Sequence, residues 1–132
     1  MRNMLIDANI FLEVLLEQER SNKCKAILKR FQKGKQQGII SSFTVDAIML
    51  IVTRYKKENI ELFLNSLLNY KGLKIYQITV KDRLEAISLM KTNNLDYEDA
   101  ITLQAAFSNN LSEILSLDKH FDKVKEIKRI EP

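Results

Sequence analysis

The sequence predicts an α/β fold of three layers, with a central parallel sheet of four or five strands. Three observations predict it. Short apolar runs alternate along the chain with longer stretches of helical periodicity. Strands joined through helices pair in parallel by right-handed crossovers, and the helices cover both faces of the sheet. Only three Gly and one Pro occur in 132 residues, too few for the many tight turns of an all-β barrel or sandwich.

The elements follow in order. Met4–Ile6 reads as a strand that ends at Asp7, and Ile10, Phe11, Val14 and Leu15 then recur at helical spacing. Ser21 is suited to cap a second helix, whose apolar stripe is Cys24, Ile27, Leu28 and Phe31. Gly34–Gly38 is a polar turn before a short strand at Ile39 and Ile40. Ser42 or Thr44 can cap a helix running to about Tyr55, which is apolar on nearly every side from Val45 to Val52 and is therefore expected to be buried all round. A helix over Glu58–Asn69 precedes a third strand, Lys74–Ile78. Thr79 and Asp82 form a capping-box pattern opening a helix to about Met90. Asn93–Asn94 breaks it, and Asp96 opens a helix through about Phe107. Glu113–Leu117 is the fourth strand, and Glu126–Ile130, after a short helical turn, the fifth.

One domain spanning residues 1–132 fits this pattern, because the length is ordinary for a single domain and there is no repeat, low-complexity tract or linker. Basic residues number 21 and acidic residues 17, so the net charge is +4. That excess permits a nucleic-acid partner without establishing one. Cys24 is the only cysteine, which excludes an intrachain disulfide and a cysteine-rich zinc site. His120 is the only histidine, which argues against His-ligated metal sites and a Ser-His-Asp triad. The dinucleotide-binding and P-loop glycine patterns are missing, so a nucleotide cofactor is unsupported. No apolar run has membrane-spanning length, and Asp7, Asn9 and Glu13 interrupt any signal-peptide core near the N-terminus. A cytoplasmic protein with no membrane partner is the expectation.

Four aspartates stand out against apolar surroundings. Asp7 lies between Met-Leu-Ile and Ile-Phe-Leu, and Asp46 interrupts the apolar stretch from Phe43 to Val52. Asp99 heads Asp-Ala-Ile-Thr-Leu-Gln-Ala-Ala, and Asp118 ends Glu-Ile-Leu-Ser-Leu. Each has an ordinary structural reading as a helix cap or a first-turn anion. Together they converge, because ligands of parallel α/β sheets bind beyond the C-terminal strand ends. Carboxylates gathered there repel one another, and a hard divalent cation, Mg²⁺ or Mn²⁺, would relieve the repulsion. Such an ion activates water and stabilises a phosphodiester transition state.

These residues resemble the PIN-domain nucleases, and among them the VapC-type toxins of prokaryotic toxin–antitoxin pairs. Met4–Leu12 is similar to the opening strand of that family with its first Asp and following Asn; Ile39–Ile48 is similar to the second motif, Asp99–Ala106 to the third and Ile114–Phe121 to the fourth. The resemblance runs over the whole chain and rests on the order and spacing of all four motifs. It implies a three-layer α/β/α PIN-like fold. It implies an active site of Asp7, Asp46, Asp99 and Asp118, with Asp7, Asp99 and Asp118 holding Mg²⁺ or Mn²⁺. Asn9 and Ser116 are implied as supporting polar residues. It further implies cleavage of single-stranded RNA by metal-activated water, a homodimer, and a cognate antitoxin that blocks the site. The second acid of these toxins is usually Glu; here it is Asp46, one methylene shorter. That difference keeps open a second reading, a catalytically weak or inactive PIN-like module that binds RNA or protein.

Neighbouring features have plainer readings. Asp96 is read as a helix cap with a secondary metal role open, Glu98 as solvated and His120 as a surface residue. Lysines and arginines cluster at residues 23–35 and 119–129 and read as solvated faces, with phosphate contact as the alternative. A phosphoacceptor receiver domain is disfavoured because Asp7 has no acidic neighbour before it, and a haloacid-type phosphatase because Asp7-Ala8-Asn9 lacks a second Asp.

Overall fold

The computed structural model describes residues 2–132. The elements are β1 (Asn3–Ile6), α1 (Ala8–Leu15), α2 (Ser21–Gln32), β2 (Gln37–Ser41), α3 (Ser42–Tyr55), α4 (Ile60–Leu68), β3 (Leu73–Tyr76), α5 (Val80–Asn93), α6 (Tyr97–Ser108), β4 (Glu113–Leu115) and β5 (Lys128–Ile130). Short 3-10 turns at Lys57–Asn59 and Lys119–Lys123 precede α4 and β5. The five strands form one sheet in the order β3-β2-β1-β4-β5, and every pairing is parallel. The three-layer α/β/α architecture is the expected one.

Strand alternation divides the core in two. Met4, Ile6, Ile40 and Leu115 point to a layer built from α1, α2, α3 and α4, around Phe11, Phe31, Ile48 and Phe63. Leu5, Ile39 and Ile114 point to the other layer, built from α5 and α6 around Ala86, Ile101, Leu103 and Ala105. Cys24 is fully buried in the first layer, as its place on the α2 stripe predicts. The chain moves outward from β1 to β2 and β3, then crosses back to β4 on the other side of β1. The reversal falls between β1 and β4, the position at which open α/β sheets leave a crevice. Asp7 and Asp118 follow those two strands.

Several local expectations shift. Arg20, not Ser21, is the residue before α2, and its side chain makes no cap. The α3 cap is Ser41, whose hydroxyl accepts from the Thr44 N–H at 3.0 Å. The helix therefore begins earlier than a cap at Ser42 or Thr44 would set it. Nor is α3 buried all round: Thr44, Ile48 and Val52 form its buried stripe, and Leu50 is 72% exposed. Phe43 packs toward the α5–α6 layer and Val45 and Met49 toward the other, but Leu50 has no core neighbour, which apolar composition alone does not show. The β3 strand is placed one residue earlier than expected at its start, and it ends at Tyr76 because the backbone turns there into the Thr79–Asp82 capping box. No helix among the described residues is long and apolar enough to cross a membrane.

Candidate active site

Asp7 leaves β1 in an extended conformation and caps α1, its Oδ1 accepting from the Ala8 N–H at 2.8 Å. Its backbone N–H donates to the Leu115 carbonyl at 3.0 Å, which fixes the end of β1 against β4. The other carboxylate oxygen, Oδ2, accepts from Ser116 Oγ at 2.6 Å and from Asn9 Nδ2 at 3.2 Å. Ser116 is fully buried, and its hydroxyl also accepts the Asp118 N–H at 2.9 Å. Asn9 Oδ1 accepts the Leu117 N–H at 3.2 Å. Ser116 and Asn9 therefore tie the two strand ends together through Asp7. Both residues expected to support the site thus hydrogen-bond to Asp7.

Asp99 arrives from the other layer. Asp96 caps α6, accepting the Asp99 N–H at 2.8 Å, and this sets Asp99 in the first turn. Asp118 follows β4 and caps the 3-10 turn after it, accepting the His120 N–H at 2.9 Å. Asp7, Asp99 and Asp118 line one cleft together with Asn9, Asp96 and Glu98, and no Lys or Arg lines it among the described residues. The consequence is electrostatic. Burial pushes the Asp7 carboxyl up to about 6, with the charges of Asp99 and Asp118 adding to it and the Ser116 and Ala8 hydrogen bonds opposing it. Asp99 is likewise pushed up to about 6, first by burial and then by the Asp118 charge, against the pull of His120. These acids are costly to ionise side by side, which is the condition a bound cation relieves.

Asp46 is not part of this cluster. It is the fifth residue of α3, exposed, and about 200° around the helix from the buried Thr44. Because the cap is Ser41, Asp46 falls in the second turn rather than the first, and it does not line the cleft. The expectation of four acids at one site therefore meets three that the structure brings together and one that it does not.

Two contributors escaped the sequence reading. His120 is exposed, as expected, yet its Nδ1 lies 3.1 Å from Asp99 Oδ2 and 3.1 Å from Asp118 Oδ1. Hydrogen bonding to Asp99, then the charges of Asp118 and Asp99, raise the His120 pKa above its ordinary value. The signal available was its place two residues after Asp118. Arg129 was grouped with a solvated basic cluster, but its side chain is only 11% exposed. It pairs with Asp122 at 2.8 Å and donates from Nη1 to the Ser116 carbonyl at 3.1 Å, so it braces the strand end that carries the site.

The family model described as PIN domain matches residues 4–127. The chain belongs to the PIN domain family. No curated protein sequence matches it significantly. Among solved structures, this PIN domain is similar to VapC20 of Mycobacterium tuberculosis, a sarcin-ricin-loop-cleaving toxin, with a TM-score of 0.79 and 9% identity over 98% of this chain and 99% of the other. It is also similar to VapBC2 from Rickettsia felis bound to a DNA fragment from their promoter, with a TM-score of 0.73 and 16% identity over 98% of each chain. A toxin–antitoxin complex from Klebsiella pneumoniae gives a TM-score of 0.71 and 23% identity over 95% of each chain. At these identities the likeness is one of fold. The PIN domain match covers all four sequence motifs, including the stretch around Asp46.

Proposed function

We propose that this PIN domain is a metal-dependent endoribonuclease of the cytoplasm and the VapC-type toxin half of a toxin–antitoxin pair. The observation that carries the reading is the meeting of Asp7, Asp99 and Asp118, from three separate elements, in a cleft without a neutralising Lys or Arg among the described residues. The relatives of similar fold that are named as toxins or toxin–antitoxin complexes support it.

The donor set fits a hard divalent cation, since carboxylate oxygens suit Mg²⁺ and Mn²⁺ and burial together with the neighbouring acid charges makes Asp7 and Asp99 costly to ionise without one. Asp7, Asp99 and Asp118 would hold the ion. When bound, an ion of this kind activates water and offsets the charge that gathers on a phosphodiester during in-line displacement. The chain's own residues supply the frame. Ser116 and Asn9 hold Oδ2 of Asp7 in one orientation, leaving the carboxylate little freedom to turn from the cleft. The hydroxyl of Ser116 simultaneously restrains the backbone of Asp118. Asp96 fixes the first turn of α6 and with it Asp99.

Partners follow from the same reading. An antitoxin and a second copy of the chain would cover apolar side chains that the monomer leaves exposed. These include Leu62 and Leu68 on α4, and Val80, Leu84 and Ile87 at i, i+4 and i+7 on α5. One observation favours a second reading, a weakly active or inactive binding module: Asp46, the second of the four motif acids, does not line the cleft.

The test is incubation of a mixed single-stranded RNA pool with the protein and Mg²⁺ or Mn²⁺, against EDTA. Cleavage that stops with EDTA supports the nuclease. Folded protein that binds Mn²⁺ by calorimetry yet leaves the RNA intact supports the binding module.

A further inference from the structure

We propose that His120 is itself a ligand of the metal ion, which makes the site a mixed carboxylate–imidazole set that favours Mn²⁺ over Mg²⁺. The inference rests on the metal-dependent reading above and goes beyond it by selecting the ion and adding a nitrogen donor.

The geometry is that of adjacent ligands. One donor atom each from Asp99, Asp118 and His120 lies within 4.8 Å of the others. His120 Nδ1 is 3.1 Å from an oxygen of each aspartate. Neighbouring donors around an octahedral ion with bonds of roughly 2.1 Å stand roughly 3 Å apart. The ring is also placed by the backbone rather than left to wander. Asp118 caps the turn by accepting the His120 N–H, and the next residue, Phe121, is fully buried in the α5–α6 layer. The two anchors on either side of the His120 Cα confine where its side chain can reach. With Asp46 outside the cleft, the imidazole stands as a further donor beside Asp99 and Asp118, while Asp7 lines the same cleft outside that close group.

The plainer role for His120 is that of a counter-ion that merely pairs with two acids. An exposed ion pair of that kind contributes little and would give way once a divalent cation took the carboxylates. The two roles predict different coordination. Mg²⁺ prefers oxygen and gains little from an imidazole, whereas nitrogen donors increasingly favour the first-row transition ions, beginning with Mn²⁺. A single histidine cannot build a His-rich metal site, but it can complete one made chiefly of carboxylates.

That single histidine makes the experiment unambiguous. Tag-free protein loaded with Mn²⁺ is examined by pulsed electron paramagnetic resonance, with unlabelled and ¹⁵N-histidine-labelled chains. Imidazole nitrogen couplings that change with the label can come only from His120. The expected result is such couplings in the wild type and their loss in His120→Gln. A second expectation is a rise of roughly tenfold or more in the Mn²⁺ dissociation constant of the variant. Mg²⁺ affinity, read by competition, should change far less. Bound Mn²⁺ without histidine couplings in the wild type overturns the role of His120 and leaves the carboxylate site standing. No Mn²⁺ binding at all overturns the metal-dependent reading as well.

Discussion

Helices α3 and α6 begin at the same edge of the sheet, and each carries an Asp-Ala-Ile stretch near its start, at Asp46–Ile48 and Asp99–Ile101. They treat it differently. Asp96 caps α6 and leaves Asp99 in the first turn, facing the cleft. Ser41 caps α3 and leaves Asp46 in the second turn, exposed and turned from the buried stripe. The two sequences look alike over a few residues, and the difference is one of phase. A cap fixes where a helix starts, and each residue after it turns by about 100°, so two residues of displacement carry a side chain to the opposite side.

Neutralising the two acids in turn should separate them most clearly. Asp99→Asn should lower RNA cleavage by at least about a hundredfold, and Asp7→Asn by a similar factor, because each removes a ligand. Asp46→Asn should stay within about threefold of wild type, since its side chain lies away from the cleft. Initial rates on one RNA, with metal in excess, give all three.

The same contrast extends to stability. Folding raises the Asp7 carboxyl from 3.8 to about 6, so the native state binds its proton more tightly than the unfolded chain does. Stability from this group is therefore present at low pH and is lost as pH rises from about 4 through 6. In EDTA at pH 7.5, Asp7→Asn should gain up to about 3 kcal/mol and lose that fall with pH. Urea unfolding at a series of pH values reads both. An unchanged pH profile would mean that Asp7 is not the strained acid.

Caps give the next effect. Ser41→Ala and Asp96→Ala should each cost about 1 kcal/mol in urea unfolding. Only Asp96→Ala should also weaken Mn²⁺ binding in calorimetry, because it alone frees the turn that holds Asp99. Equal weakening by both would erase the distinction between the two helices. The smallest effect belongs to Asp46→Ala, within about 0.5 kcal/mol of wild type in EDTA, as for an ordinary exposed helix position. A gain resembling that of Asp7→Asn would place Asp46 among the repelling acids after all.

Much of this was legible in the sequence because it is local. Strand-ending Asp7, the Thr79–Asp82 capping box and the Asp96 cap each depend on a few adjacent residues and occur where the sequence puts them, whereas β4 stops at Leu115, two residues before the expected end next to Asp118. The alternation that splits Leu5 from Met4 and Ile6 is likewise a property of the strand itself. What escaped depends on neighbours distant in the chain. Leu50 is as apolar as Ile48, yet only Ile48 meets a packing partner in the core. His120 reads as a surface residue until α6 delivers Asp99 beside it from 21 positions away. Arg129 resembles its solvated lysine neighbours until β5 sets it against Ser116 and Asp122.

The most direct measurement is the cleavage of mixed single-stranded RNA by wild-type, Asp99→Asn and Asp46→Asn proteins, each with Mn²⁺ and with EDTA. Metal-dependent cleavage by the wild type and Asp46→Asn, with none from Asp99→Asn, is the predicted result. Cleavage by Asp99→Asn at the wild-type rate, or an Asp46→Asn protein as inactive as Asp99→Asn is predicted to be, would contradict the site described here.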